Sequence, residues 1–209
     1  MSVKNSGIPT PSLRRLPVYH RVLEGLKRKN TERVSSRKLS QITGFTASQI
    51  RQDISFVCSV GQQGYGYNVN ELYHELCLTL KTVNPLKAVL IGAGNLGKAI
   101  ATNFVEKNSG IRLIGIFDKN EAMSGKMINE IPIRNLYVLE EFCLENNPKI
   151  AILCIPELDA RTMTAQLRQL GITGILNFTG VNLSTDFPDL MIEDVSFSDS
   201  LLALRYYLD

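Results

Sequence analysis

The sequence predicts an α/β chain in which a small helical unit leads into a doubly wound parallel sheet closed by one amphipathic helix. Three observations predict it. From Lys87 onward, short apolar runs alternate with helical patterns, the order that lays helices over a parallel sheet. Before Asn84-Pro85 the patterns are helical, apart from a polar tail (Met1 to Ser12) and one glycine-rich stretch (Gly61 to Tyr67). Charge divides along the same line. Met1 to Asp53 carries eleven Lys/Arg against three Asp/Glu, net +8; Asn84 to Asp209 carries eleven against fifteen, net −4; the stretch between is −1. A basic front on a mildly acidic remainder points the front at a polyanion, with a solvated basic face as the alternative on charge alone.

In the front unit, Leu13 to Lys29 is a helix with Leu16, Tyr19, Val22, Leu23 and Leu26 on one face, and Pro17 early enough for a first turn. A second helix starts at Ser35 or Ser36, carries Leu39 and Ile42, and stops at Gly44, which suits a left-handed C-terminal residue. Thr46-Ala47-Ser48-Gln49 is a capping box opening a third helix with the stripe Ile50, Ile54 and Val57. Helix, short glycine turn and helix form the helix-turn-helix signature of DNA-binding units. Gly61-Gln62-Gln63-Gly64-Tyr65-Gly66-Tyr67 then reads as a hairpin tip, and a hairpin after a recognition helix is a wing. Val69 to Thr82 is a further helix, broken by Asn84-Pro85.

The second part runs strand 87–91, helix 95–107, strand 112–117, strand 131–133, helix 139–145 and strand 150–155. Helix 161–170, strands 174–178 and 191–195, and a final helix 199–208 complete it. The expected organisation is therefore a winged helix-turn-helix domain over residues 1–83, a Rossmann-like doubly wound domain over 84–198 and a C-terminal helix over 199–209.

The most specific motif is Gly92-Ala93-Gly94-Asn95-Leu96-Gly97. It follows the run Ala88 to Ile91, opens a helix, and is answered by Asp118 twenty-one residues beyond Gly97, at the end of the next strand. That order is the context of a dinucleotide-binding fingerprint. Gly92 permits the turn, Gly94 lets backbone approach a pyrophosphate, and Gly97 seats the helix on the sheet with its N–H groups facing the anion. Asp118 accepts from the adenosine ribose and favours NAD(H), because a carboxylate repels the 2′-phosphate of NADP(H). Lys119 either softens that repulsion or is an ordinary exposed lysine. Cys154, Ile155 and Pro156, at a strand's carboxyl end, complete the candidate cofactor site, with Cys154 either against a nicotinamide ring or a packed strand thiol.

An enzyme that used this cofactor would need a second substrate domain and a proton-transfer group. Residues after Pro85 make one nucleotide domain and a helix, and contain no histidine. Glu157 and Asp159 read as solvated acids near a helix start rather than catalytic groups, so no catalytic residue is assigned. Cys58, Cys77, Cys143 and Cys154 are scattered, with only His20 and His74 beside them, which gives no metal-ligand spacing. No apolar run approaches the ~18 residues of a membrane span. The N-terminus lacks the apolar core of a signal peptide, so a cytoplasmic protein is expected.

Arg15-Leu16-Pro17-Val18-Tyr19, Ser48-Gln49-Ile50-Arg51-Gln52-Asp53, Gly61 to Tyr67 and Gly92 to Gly97 are landmarks over nearly the whole chain. With Phe117-Asp118, Gly171 to Phe178 and Ala203 to Leu208, they give a sequence that resembles the Rex family of bacterial redox-sensing repressors. The resemblance implies a homodimer that holds inverted-repeat operator DNA when free or NAD⁺-bound and releases it as NADH accumulates. It implies a terminal helix exchanged between subunits; the stripe Leu201, Leu202, Leu204 and Leu208 fits a partner's face, with packing on its own subunit as the alternative. It puts Ser48, Gln49, Arg51 and Gln52 of the recognition helix, and Gln62, Gln63 and Tyr65 of the wing, against DNA.

The departures are specific. The family usually has Arg-Lys at Arg51-Gln52 and Lys-Arg at Gln62-Gln63, so three cations per subunit are missing and the salt slope of DNA binding should fall. Gln can still read adenine edges. The family commonly has Tyr at Asn103 and Asp at Ser196, groups that together with Arg15 link the nicotinamide's charge to domain rotation; of these only Arg15 is present. These departures define a second reading, a divergent relative that holds nucleotide, has weakened or lost operator binding, and acts through protein partners. An oxidoreductase is third.

Overall fold

The computed structural model describes residues 7–58, 65–103 and 110–208. Its contacts divide the chain into two compact units, Met1–Asn84 and Pro85–Asp209. Among the described residues no helix is long and apolar enough to cross a membrane.

The first unit holds α1 (Thr10–Arg28), β1 (Arg33–Val34), α2 (Ser36–Thr43), α3 (Ala47–Ser55), β2 (Tyr67–Asn68) and α4 (Val69–Thr79). Helix α1 starts at Thr10 rather than Leu13, with Pro11 in the first turn where no N–H is needed. Pro17 therefore lies inside the helix, not in its first turn as expected. It has no N–H for the Leu13 carbonyl, but both residues are on the exposed side, where water takes that role. Helix α2 is capped by Ser35, whose hydroxyl accepts from the Lys38 N–H at 3.1 Å, and ends at Gly44 with φ +79°. The capping box of α3 is complete: Thr46 Oγ1 accepts from the Gln49 N–H at 3.2 Å, and Gln49 Oε1 from the Thr46 N–H at 3.0 Å. The inward stripes meet in one core of Leu16, Tyr19, Leu23, Leu39, Ile50, Ile54, Leu72 and Leu76.

Strand β1 is absent from the sequence reading. It pairs antiparallel with β2 (Arg33 with Asn68, Val34 with Tyr67), so the glycine-rich segment returns to a strand ahead of the helix-turn-helix. Gly66, at φ +71°, allows this: a Cβ there would stand 2.8 Å from the Val34 carbonyl oxygen. The tip of the expected wing, including Gln62 and Gln63, lies outside the described residues. Helix α4 ends at Thr79, short of Thr82, where Lys81 takes φ +56°.

The second unit runs β3 (Leu86–Ile91), α5 (Asn95–Asn103), β4 (Ile111–Asp118), β5 (Met127–Ile128), β6 (Ile131–Asn135) and α6 (Leu139–Asn146). It continues through β7 (Ile150–Leu153), α7 (Glu157–Gln169), β8 (Gly174–Asn177), β9 (Met191–Asp194) and α8 (Phe197–Tyr206). The sheet order is β5-β6-β4-β3-β7-β8-β9, parallel except at β5. Strand order reverses between β3 and β7, and the crevice outside their carboxyl ends is where such sheets bind ligands. One face packs Val89, Ile91, Phe117 and Leu153 under α6 and α7; the other packs Leu90, Ile116 and Ile133 with Ala101 of α5.

Boundaries shift in two informative places. Strand β7 stops at Leu153 and α7 starts at Glu157, because Pro156 (φ −59°) turns the chain directly into the helix. Residues 104–107 of the helix expected after the glycine motif lie outside the described residues. Helix α8 starts at Phe197, capped by Ser196, whose hydroxyl accepts from the Asp199 N–H at 3.1 Å.

Thr46→Ala removes the side-chain half of the α3 capping box and is expected to destabilise the first unit by about 1 kcal/mol. Urea unfolding followed by far-UV circular dichroism checks it, and an unchanged midpoint would show that the turn is held by packing alone.

Candidate functional site

The turn from β3 into α5 is built on missing side chains. Gly92 has φ +97°, and a Cβ on it would run into the Cys154 carbonyl on the neighbouring loop. A Cβ on Gly97 would strike the Gly92 carbonyl oxygen, so α5 seats only on glycine. Gly94 differs: nothing stands within 4 Å of the position its Cβ would take. Two of the glycines are thus required by packing, while the third faces open space.

The end of β4 is tied to the same turn. Asp118 accepts from the Ala93 N–H at 2.6 Å through one carboxylate oxygen and from the Asn120 N–H at 2.8 Å through the other. A carboxylate has about four acceptor sites, so two remain for a ligand. Next to it, Lys119 Nζ reaches Asp159 Oδ2 on the first turn of α7 at 2.7 Å. This hydrogen bond, with the attraction of the Asp159 charge, raises the lysine above its ordinary pKa.

These groups line a cleft of about 540 Å³ at the carboxyl ends of the strands. Of the candidate cofactor residues, Gly92, Gly94, Asp118, Lys119, Cys154, Ile155 and Pro156 line it. Ala93 and Gly97 are buried in the turn, and Asn95 and Leu96 are exposed where α5 begins. The sequence reading omitted Ile91, Leu136, Thr162 and Met163, and placed Asp159 among solvated acids. Thr162 and Met163 follow Asp159 at helical spacing, a signal that appears only once α7 is started at Glu157. Leu136, just after β6, has no such signal. The lining is mostly apolar, with two carboxylates and one ammonium among the lining residues. Burial pushes the Cys154 thiol up to about 11, so at neutral pH it is a protonated, unreactive group. Among the described residues no group of three or more His, Cys, Asp or Glu side chains gathers in a metal-binding arrangement.

In the first unit, α3 buries Ile50, Asp53 and Ile54 and exposes Ser48, Gln49, Arg51 and Gln52. Gln49 spends its carbonyl oxygen on the cap, leaving its amide N–H₂ as the outward group. Arg51 donates to the Ser36 hydroxyl at 3.3 Å, bracing α3 against α2. Tyr65 is 70% exposed, and its carbonyl accepts from Arg33 at 3.4 Å. What fixes this face lies beneath it. Arg15 grips the fully buried Asp53 bidentately, both bonds at 2.7 Å, and the Tyr19 hydroxyl donates to the same carboxylate at 2.6 Å. Burial alone would raise the Asp53 pKa; the hydrogen bonds from Arg15, Tyr19 and Ser12 outweigh it and hold the group below its ordinary value. Asn103 donates to the Ala99 carbonyl at 2.8 Å and Ser196 caps α8, so both have local partners.

A dinucleotide-type cleft in one unit and a helix-turn-helix in the other define a ligand-responsive DNA-binding regulator. The protein-family model described as "Putative DNA-binding protein N-terminus" matches residues 7–55, and that described as "CoA binding domain" matches residues 83–181. A "Redox-sensing transcriptional repressor Rex" of Clostridium perfringens (strain SM101 / Type A) is 42% identical, over 99% of this chain and 97% of that protein. A crystal structure described as RSP in complex with β-NAD⁺ and operator DNA is 41% identical with a TM-score of 0.87, over 100% of this chain and 94% of that one. RSP in complex with β-NADH is 40% identical with a TM-score of 0.83, over 96% and 94%. The chain belongs to the Rex family of redox-sensing transcriptional repressors.

Because the folded Asp53 is the stronger acid, its stabilisation is full above the ordinary carboxylate pKa of about 3.9 and is lost as pH falls through the lower folded value. Asp53→Asn is expected to destabilise the first unit by about 3 kcal/mol at pH 7, with the penalty shrinking at an acid pH below the ordinary carboxylate value of about 3.9. Urea unfolding at both pH values tests this, and an equal penalty at each would rule out the ionic origin.

Proposed function

We propose that this chain is an NAD(H)-responsive transcriptional repressor that binds operator DNA as a homodimer. The observation that carries the ligand reading is Gly94: its bare backbone faces open space beside the N-terminus of α5, where a pyrophosphate gains N–H donors and the helix dipole. The cleft beyond it is apolar enough for adenine and nicotinamide rings, and Asp118 offers its remaining acceptor sites to the adenosine ribose. The relatives' names and the RSP complexes with NAD⁺, NADH and operator DNA support the same ligands here. They do not favour the reading of a relative that acts through protein partners, and the role they carry is repression rather than hydride-transfer catalysis.

On the DNA side, Ser48, Gln49, Arg51 and Gln52 enter the major groove of an inverted-repeat operator, with Gln62, Gln63 and Tyr65 beside the backbone. Helix α8 supplies the dimer contact. It buries no residue within its own subunit, and Leu201, Leu202, Leu204 and Leu208 are 54–76% exposed, a stripe that a partner's surface would cover. Arg15 is anchored to α3 through Asp53, so a ligand-driven displacement of Arg15 moves the recognition helix with it. A regulator of this kind works in the cytoplasm, where the bacterial chromosome lies.

Fluorescence anisotropy with an A·T-rich inverted-repeat operator, at low and moderate salt, tests this. Binding is expected with NAD⁺ or no ligand, and release with NADH. Failure to bind at low salt would overturn the repressor reading, and equal binding in all three states would overturn the redox response. Gly94→Val has room to fold but fills the anion's space. It is expected to weaken NADH binding by about tenfold or more, the loss of one charge-assisted hydrogen bond, with thermal unfolding unchanged; unaltered NADH affinity would place the pyrophosphate elsewhere.

A further inference from the structure

We propose that Asp159 sets the dinucleotide preference of the cleft by holding Lys119 away from the position a 2′-phosphate would take. This rests on the NAD(H) reading of the cleft and adds a positioning residue to it.

Three features converge. Asp118 is the acid at the end of β4, where an adenosine ribose presents its 2′-hydroxyl in folds of this kind. Both its oxygens already accept backbone N–H groups, so the carboxylate is fixed in place and cannot swing away from an incoming phosphate. By itself it disfavours NADP(H), but a nearby cation can accommodate the 2′-phosphate. Lys119 is such a neighbour, and among the described residues lining the cleft it is the only cation. Its flexible stem can bring the ammonium back over Asp118.

In the structure the ammonium is paired with Asp159, a second residue lining the cleft, at 2.7 Å. Asp159 is in place without the lysine: it occupies the first turn of α7, where the helix dipole favours a carboxylate, and its N–H bonds the Pro156 carbonyl at 3.0 Å. A 2′-phosphate would have to take Lys119 from this pair and leave an uncompensated carboxylate on the cleft wall. A 2′-hydroxyl makes no such demand. The pair therefore acts against the phosphorylated dinucleotide twice, by engaging the available cation and by adding a second negative charge.

The test is titration of the wild type and of Asp159→Asn, Lys119→Ala and the double variant with NADH and NADPH, read by the fluorescence of the reduced nicotinamide. The chain has no tryptophan to interfere. The quantity compared is the ratio of NADPH to NADH affinity. Asp159→Asn is expected to raise it by about fivefold, the scale of one exposed ion pair, and the gain on adding Asp159→Asn to Lys119→Ala to be clearly smaller, because only the repulsion is then relieved. An unchanged ratio in Asp159→Asn overturns the inference while leaving the NAD(H) reading intact. An equal gain with and without Lys119 also overturns it, since Asp159 would then act by repulsion alone. A wild type that binds neither dinucleotide overturns both.

Discussion

The cleft depends on the contact between Gly97 and the carbonyl of Gly92. Any side chain at Gly97 would occupy the space of that oxygen, so α5 can lie across the end of β3 only because there is none. A helix seated in this way at a strand's carboxyl end offers its first N–H groups to an anion in the crevice. The same turn approaches the Cys154 carbonyl on one side and gives the Ala93 N–H to Asp118 on the other. The carboxyl ends of β3, β4 and β7 are therefore registered against one another at a single point. Asp118 belongs to this framework in its own right: both its oxygens are tied to backbone N–H groups, which keeps its charge still.

The DNA-facing unit is organised by an analogous economy. Asp53 is on the inner side of α3 and is completely buried, an arrangement that would be costly without partners. Arg15 and Tyr19, one turn apart on α1, both point at it. The recognition helix is thereby fixed in rotation as well as position, since turning α3 about its axis would draw Asp53 out of both contacts. The outward residues Ser48, Gln49, Arg51 and Gln52 inherit their orientation from a residue that is itself completely buried.

Much of this was legible in the sequence where a residue type has one main use. The capping box at Thr46, the left-handed stop at Gly44 and the tight turn at Gly92 and Gly97 each state a backbone requirement, and each occurs as read. Legibility failed where the deciding partner is distant. Strand β1 is two residues long, with no periodicity to reveal it, and exists only because Tyr67 and Asn68 return to it. The partner of Lys119 is forty residues away, on a helix whose start was misjudged because Pro156 was read as part of a strand end. Pro17 misled in the opposite sense: the exposed side of α1 tolerates a proline that local rules place only in a first turn. Local signals gave most of the glycine turn, and only tertiary pairing gave the Lys119–Asp159 contact.

The two-residue pairing of β1 with β2 has a consequence for how the first unit comes apart. Together with the bond from the Val69 N–H to the Glu32 carbonyl at 2.9 Å, it closes the chain into a loop containing all of α2 and α3. A helix-turn-helix joined to its core at one end could fray from the other. This one is clasped at both ends, so its two helices share one opening event, and closing the loop carries an entropic cost only once. A pairing of only two residues on each strand thus makes the half of the unit that holds α2 and α3 cooperative.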